Sequence, residues 1–392
     1  EIKTADPSPA PSPMERCFTV FVLLYSTGAF VNLFISPDQL LDSGAGIPAL
    51  RNIWAIIYLI TLTLWLRHCK GSLKLLGKQW PITLLTTLAL ASLLWSDFPS
   101  ITFRRTLALV GTYLIALYFA TRYRLSEQLK LLVWMCGISV VLSFIFGWFH
   151  WGRSVDELEG AWYGVYTQRN ELGSMMVLST LVFLLWGRLD PRNQWKAWIF
   201  TAAAFVLNLL SGSVTSLIVF FAVLFSFSIV RQLRQSSRRV VPILSFLSVF
   251  FITCAYWLTT HFVTVTEAMG RDSSLTGRAE LWATSGLMAL ERPWLGYGYN
   301  AFWLGLEGPS ADVWQVVGWT APGSHNGLLG IWLDLGLVGV VIAVFGFGLY
   351  LWRSFRLIRK TSAWEFAWPL MFLVTFFLLN LTENTFLGGN NI

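Results

Sequence analysis

Three short polar segments hold most of the residues in this chain that could do chemistry. In Ser324-His325-Asn326-Gly327, a histidine stands just before the apolar run that opens at Leu328. Ser324 is a natural N-cap for that run, so His325 would meet the free N–H groups and positive dipole end of a helix. Such an end attracts anions such as diphosphate. It also disfavours imidazolium, leaving a neutral ring able to accept a proton. A histidine at a helix end also serves as a plain interfacial polar group, and His150 and His261 compete for the same role without a preceding cap. The second segment, Gly164-Val165-Tyr166-Thr167-Gln168-Arg169-Asn170-Glu171-Leu172-Gly173, opens another apolar run. Arg169 and Asn170 could present donors to a phosphate there, or the arginine could snorkel to an interface. The third is Gly277-Arg278-Ala279-Glu280-Leu281-Trp282, where an arginine and a tryptophan share one helix face. Arginine on diphosphate beside tryptophan on a sugar ring is one reading. An amphipathic helix lying on a bilayer is the other. Arg104 and Arg105 add positive field at the start of a further run, or only mark its end. Asp334 follows His325 by about 14 Å at 1.5 Å per helical residue. It falls on the opposite face, so a polar contact inside a helix bundle is expected of it.

The elements that must position these residues are membrane spans. The chain of 392 residues is 55% hydrophobic and 12% charged, with a mean hydropathy of +0.60. A soluble protein carries nearer a quarter charged residues. Eleven apolar runs cover 18–35, 51–66, 81–95, 103–120, 130–149, 172–187, 196–210, 213–230, 241–260, 325–352 and 366–382. Each is long enough to cross a hydrocarbon core of about 30 Å, with the shortest near the limit. With the first run leaving the cytoplasm, the inner segments carry 20 Lys/Arg and 6 Asp/Glu, against 8 and 15 elsewhere. The positive-inside rule therefore orients the chain with its N-terminus in the cytoplasm. All the lysines lie inside, and the outer basic residues are all arginine: Arg51, Arg104, Arg105, Arg153, Arg169, Arg271, Arg278 and Arg292. The guanidinium fork grips phosphate oxygens in bidentate fashion, which a lysine cannot do. An all-arginine outer face thus points to a phosphorylated substrate. The net charge of +7 sits in the inner loops, where it meets anionic lipid and not nucleic acid.

The expected fold is an all-α, polytopic transmembrane bundle of about 11–12 spans. Residues 1–17 read as a disordered cytoplasmic tail, Pro/Ser-rich and unlike a cleavable signal peptide. Residues 18–392 read as a single membrane domain that includes a long periplasmic loop, 261–324. A structureless loop of that length is rare unless it is functional. Its middle, Thr276–Leu290, reads as a helix with Thr276 as cap and Glu280 at capping-box spacing. Trp282, Trp294, Trp303, Trp314 and Trp319 crowd the same loop. Cys17, Cys69, Cys136 and Cys254 avoid the outer loops, so neither a disulfide nor a metal site is expected.

Taken together, these segments resemble the O-antigen ligase / O-antigen and exopolysaccharide polymerase superfamily of bacterial inner membranes. The resemblance rests on Leu94-Trp95-Ser96-Asp97-Phe98-Pro99-Ser100, on Gly164–Gly173, on Gly277–Trp282, on Arg292-Pro293-Trp294-Leu295-Gly296-Tyr297-Gly298, and on Ser324–Gly327 followed by Leu335-Gly336-Leu337-Val338-Gly339. Tyr166 stands where the family usually has Phe. The resemblance implies transfer of an undecaprenyl-diphosphate-linked glycan at the periplasmic face, without a metal or other cofactor. It implies that Arg169 and Arg278 hold the diphosphate, aided by Asn170 and Asn326, and that His325 takes the acceptor proton. Trp282, Tyr166 and Tyr297 are candidate glycan contacts, and Arg104 and Arg105 candidate accessory residues. Implied partners are the lipid-linked glycan, a glycan or lipid-linked acceptor, membrane lipids and other polysaccharide-assembly proteins.

A single base with no carboxylate nucleophile in these motifs favours direct displacement, with inversion at the anomeric carbon. Polymerisation of repeat units is the first expectation. Ligation of glycan to lipid A-core shares the chemistry and differs in acceptor. A lipid-linked sugar flippase is a third reading, but Asp334 is the one acidic residue expected deep in a span and no internal repeat is evident.

Overall fold

The structure is a computed structural model that describes residues 10–33, 48–68, 73–151, 154–156, 160–235, 274–361 and 363–384. The expected span 241–260, together with Cys69, Arg153, Cys254, His261 and Arg271, lies outside the described residues. Helices α1 (Pro13–Tyr25), α2 (Pro48–His68), α3 (Leu73–Lys78), α4 (Trp80–Ala91) and α5 (Pro99–Arg122) come first. They are followed by α6 (Leu125–Phe149), α7 (Arg169–Leu189), α8 (Gln194–Leu210) and α9 (Val214–Gln235). Beyond the undescribed segment come α10 (Ser274–Glu291), α11 (Ser310–Val317), α12 (Gly327–Lys360) and α13 (Trp368–Asn380). Among the described residues, one isolated bridge between Val155 and Trp162 is the extent of β pairing. The protein is an all-α, polytopic membrane bundle. Five helices, α2, α6, α7, α9 and α12, are long and apolar enough to cross a membrane, and α4 and α13 are shorter apolar helices.

The first expected boundary needs correction. Residues 13–17, assigned above to a disordered tail, form the first turn of α1. The Ser12 hydroxyl accepts the Glu15 N–H at 3.1 Å, and the Glu15 carboxylate accepts the Ser12 N–H at 3.3 Å. That reciprocal capping box, with Pro13 in the first turn, starts the helix early. Glu15 also accepts from Arg122 Nε at 2.6 Å and Tyr118 Oη at 2.7 Å, pinning α1 to the end of α5. A buried charge persists because it is paired on both sides. The helix stops at Tyr25, short of the expected Ile35, and Phe30 N–H then bonds Val165 O at 2.8 Å.

Helix α7 is the central post, with 72% of its apolar window buried against 22% for α2. It packs on α6, α8, α9 and α13 through Met176, Leu181, Phe183 and Leu185, all fully buried.

The described part of the long loop before α12 is folded rather than loose. Leu281 and Ala289 of α10, Tyr297, Phe302, Val313 of α11 and Ala321 form one buried cluster with Leu333 of α12. The tryptophans serve this packing. Trp282 Nε1 donates to Ser324 O at 2.9 Å and Trp314 Nε1 to Ala321 O at 2.8 Å, while Trp303 packs on the cluster and Trp294 stays exposed.

Helix α12 is discontinuous. Gly336 adopts φ 67° and ψ −170°, which ends the helical ladder for a moment. In a membrane protein the freed backbone groups need partners, and the segment Pro293–Gly298 supplies them. Tyr297 N–H donates to Leu333 O at 2.8 Å and Gly298 N–H to Asp334 O at 3.0 Å. In return Leu337 N–H donates to Pro293 O at 2.8 Å and Val338 N–H to Trp294 O at 3.3 Å. A Cβ on Gly336 would lie 2.1 Å from the Trp294 carbonyl carbon, so only glycine admits this approach.

Candidate active site

The half-helix Gly327–Leu335 presents its N-terminus where the long loop returns to the bundle. Its cap is Asn326, whose Oδ1 accepts the N–H groups of Leu328 and Leu329, each at 3.1 Å. Ser324, expected as the cap, sits one step too far out. Its hydroxyl donates to Asn326 O at 2.8 Å, and its own carbonyl is held by Trp282. The difference has a local cause: His325 takes a left-handed φ of 47°, which turns the chain just before the helix. The His325 ring is thereby thrown to the side, 6.1 Å from the Trp319 ring at a tilt of 34°.

Two side chains from distant parts of the sequence meet His325 through a third. Nδ1 of His325 lies 3.3 Å from Oε2 of Glu383, and Nη2 of Arg278 lies 3.3 Å from Oε1 of the same carboxylate. All three side chains are only 13–15% exposed, so the cluster is shielded yet reachable. A carboxylate accepts, so a neutral His325 bonded to it would carry its proton on Nδ1 and present a lone pair at Nε2. Glu383 reaches this position because α12 and the end of α13 nearly touch. A Cβ on Gly327 would stand 2.5 Å from Asn380 Oδ1, and one on Gly330 would stand 2.6 Å from Asn384 Nδ2. Glycine at these two positions lets the polar turn after Asn380 lie against the half-helix.

The α7 terminus belongs to the second of the candidate segments. Arg169 and Asn170 open that helix, and Glu171 folds back to accept Thr167 N–H at 3.1 Å and Thr167 Oγ1 at 2.6 Å. Glu171 and Glu383 lie within electrostatic range of one another. One helix N-terminus, an arginine, a histidine and a carboxylate thus meet in one cluster. That inventory can neutralise an anion and accept a proton.

Arg278 and Trp282 lie where the helix face of α10 was expected to put them. Trp282, a candidate glycan contact, has its Nε1 committed to Ser324 O and so braces the histidine loop. Other expectations are corrected. Tyr166 is fully buried, bonded to Ser139 Oγ at 2.7 Å and to Thr27 Oγ1 at 3.5 Å. Burial pushes its phenol up, and it faces the bundle core rather than a glycan. Tyr297 is also buried. Its hydroxyl donates to Met288 O at 2.9 Å and meets Glu291 at 3.0 Å, with the Arg292 guanidinium 4.7 Å above its ring. Burial first and Glu291 second raise its phenol. Its work is to seat the loop in the α12 break. Arg105 donates to Asn300 O, the Asn300 N–H bonds the Asp334 carboxylate, and Arg104 neighbours Arg105. Arg105 serves the break rather than the histidine, and Asp334 makes the bundle contact expected of it.

Glu383 is the site residue that motif reasoning passed over. Its signal was present: Asn380-Leu381-Thr382-Glu383-Asn384 is a polar turn closing the last apolar run.

Comparison with known proteins gives two findings. Residues 199–344 match the family model described as O-Antigen ligase, which takes in α10, α11, His325 and the α12 break. The exopolysaccharide production protein ExoQ of Rhizobium meliloti (strain 1021) is 24% identical over 271 residues, or 66% of this chain. The match spans 61% of that relative's length.

Proposed function

We propose that this chain, which is similar to the O-antigen ligases and O-antigen and exopolysaccharide polymerases, is a glycosyltransferase polymerising polyprenyl-diphosphate-linked repeat units at the periplasmic face. The observation that carries the reading is the cluster in which Glu383 joins Arg278 to His325 beside the N-terminus of α12. A polyprenyl diphosphate is already a good leaving group. The protein has to neutralise its charge, aim an acceptor oxygen and remove one proton. In this proposal Arg278 and Arg169, with Asn170 and the α7 N-terminus, hold the diphosphate. Nε2 of His325 takes the proton from the acceptor hydroxyl as that oxygen attacks the anomeric carbon. The bond to the diphosphate oxygen breaks on the opposite side, which inverts the centre. Arginines and helix ends take the place that a metal has in other diphosphate chemistry, so the reaction is proposed to be metal-independent. Undecaprenyl is the proposed lipid, and the site faces the periplasm of the inner membrane.

Polymerisation is favoured over ligation because the relative's name concerns exopolysaccharide production. Ligation to lipid A-core remains the second reading, supported by the family description. The test is incubation of purified protein with a defined lipid-linked repeat unit, alone or with lipid A-core. A ladder of longer lipid-linked glycans supports polymerase, transfer to lipid A-core supports ligase, and unchanged substrate in both arms overturns the reading.

A further inference from the structure

We propose that Glu383 is a stand-in for the donor's diphosphate: its carboxylate occupies Arg278 until phosphate displaces it, and only then is it wholly available to His325. This rests on the diphosphate reading of Arg278 above. The geometry carries it. One carboxylate is divided between two partners, Oε1 on Arg278 Nη2 and Oε2 on His325 Nδ1, both at 3.3 Å. Charge-assisted pairs of this type close to about 2.7–2.9 Å when they are fully engaged, so neither partner is held at full strength. The contact to Arg278 runs through a single guanidinium nitrogen, whereas a diphosphate can take the fork through two parallel bonds. The exchange is therefore downhill for Arg278.

What the exchange does to Glu383 follows from charge. Glu171 is already within electrostatic reach of it, and a diphosphate on Arg278 adds more negative charge. With its arginine gone, the carboxylate has His325 as its cationic outlet. An anion on Nδ1–H favours proton uptake at Nε2, which is the step the acceptor hydroxyl requires. Loading the donor would thus strengthen the base, and an empty site would keep it weak. Glu383 acts through two other residues and is a positioning residue. Its signature is an opposition: it costs donor affinity and raises turnover.

The experiment measures binding of farnesyl diphosphate and turnover of a lipid-linked repeat unit for wild type, Glu383→Gln, Glu383→Asp, Arg278→Ala and the Arg278→Ala/Glu383→Gln double variant. Glu383→Gln is expected to bind farnesyl diphosphate about threefold to tenfold more tightly while kcat falls about tenfold to hundredfold. In the Arg278→Ala background the tightening should vanish. Glu383→Asp keeps the charge and should show neither the tighter binding nor the full loss of kcat, which separates charge exchange from misfolding. Weaker or unchanged binding in Glu383→Gln, with binding intact in wild type and weakened in Arg278→Ala, overturns the stand-in role alone. Binding as tight in Arg278→Ala as in wild type, or absent from wild type, overturns the diphosphate reading and the stand-in with it.

Discussion

At the scale of single residues, the site depends on which nitrogen or oxygen each side chain offers. His325→Ala should lower turnover by about 10²–10⁴, the usual loss of a general base, while the purified protein keeps its thermal transition. Near-normal turnover would end the base assignment. The arginines divide by geometry. Lysine retains charge but not the fork, so Arg278→Lys and Arg169→Lys should each lose most turnover and farnesyl diphosphate binding. Arg51, at an exposed helix start away from the cluster, should tolerate lysine. Equal tolerance at all three positions would reduce the outer arginines to interfacial charge. His325 and Arg169 stand in motifs at the mouth of an apolar run and Arg278 in a motif of the long loop, which is how sequence singles them out as candidates. Tyr166 and Tyr297 misled because an aromatic in a motif says nothing about which way it points, and both point into packing. Glu383 was hidden by distance: 58 residues and a whole helix pair separate it from His325, and the small residues that bring them together are glycines.

At the scale of elements, apolar runs translated well into helices. The runs at 51–66, 103–120, 172–187 and 196–210 lie inside α2, α5, α7 and α8. The run beginning at 325 was read as one uninterrupted span, yet it is two pieces. Leu335-Gly336-Leu337 is apolar throughout, so hydropathy cannot report the break, and the groups that repair it come from Pro293–Gly298 in another element. Gly336→Ala tests that repair. A side chain there meets backbone at 2.1 Å with a positive φ, a combination of clash and strain expected to cost about 2–4 kcal/mol. Thermal unfolding in detergent should show a drop in Tm, and turnover should fall along with it. An unchanged Tm would mean that the loop can lift off the break without loss.

At the scale of the whole molecule, charge distribution matches helix ends. Arg67 and His68 close α2, Arg122 closes α5, Arg188 lies in the last turn of α7, and Arg359 and Lys360 close α12. The His325 cluster lies at the opposite end of α12 from those cations. Composition and loop charge could reveal the bundle because a bilayer punishes misplaced charge strongly. They could not reveal that the long loop has its own core, since Leu281, Phe302 and Val313 are spread over more than thirty residues. If charge neutralisation comes from arginine and helix ends, turnover should survive EDTA and be indifferent to added Mg²⁺ or Mn²⁺. Loss on chelation with recovery on metal addition would refute a metal-independent reaction.

The short piece of α12 before Gly336 also sets a phase. Each α-helical residue advances about 100° around the axis and 1.5 Å along it. His325 at one end and the clasped carbonyls of Leu333 and Asp334 at the other are therefore locked in rotation as well as in distance. One alanine inserted between Leu328 and Ile331 would swing the imidazole about a quarter turn away from Glu383, with every named side chain still present. The same insertion after Val344 would rotate only the inner portion of α12, beyond the clasp. Activity should thus vanish with the first insertion and persist with the second, which makes the spacing from histidine to glycine a coordinate of the reaction in its own right.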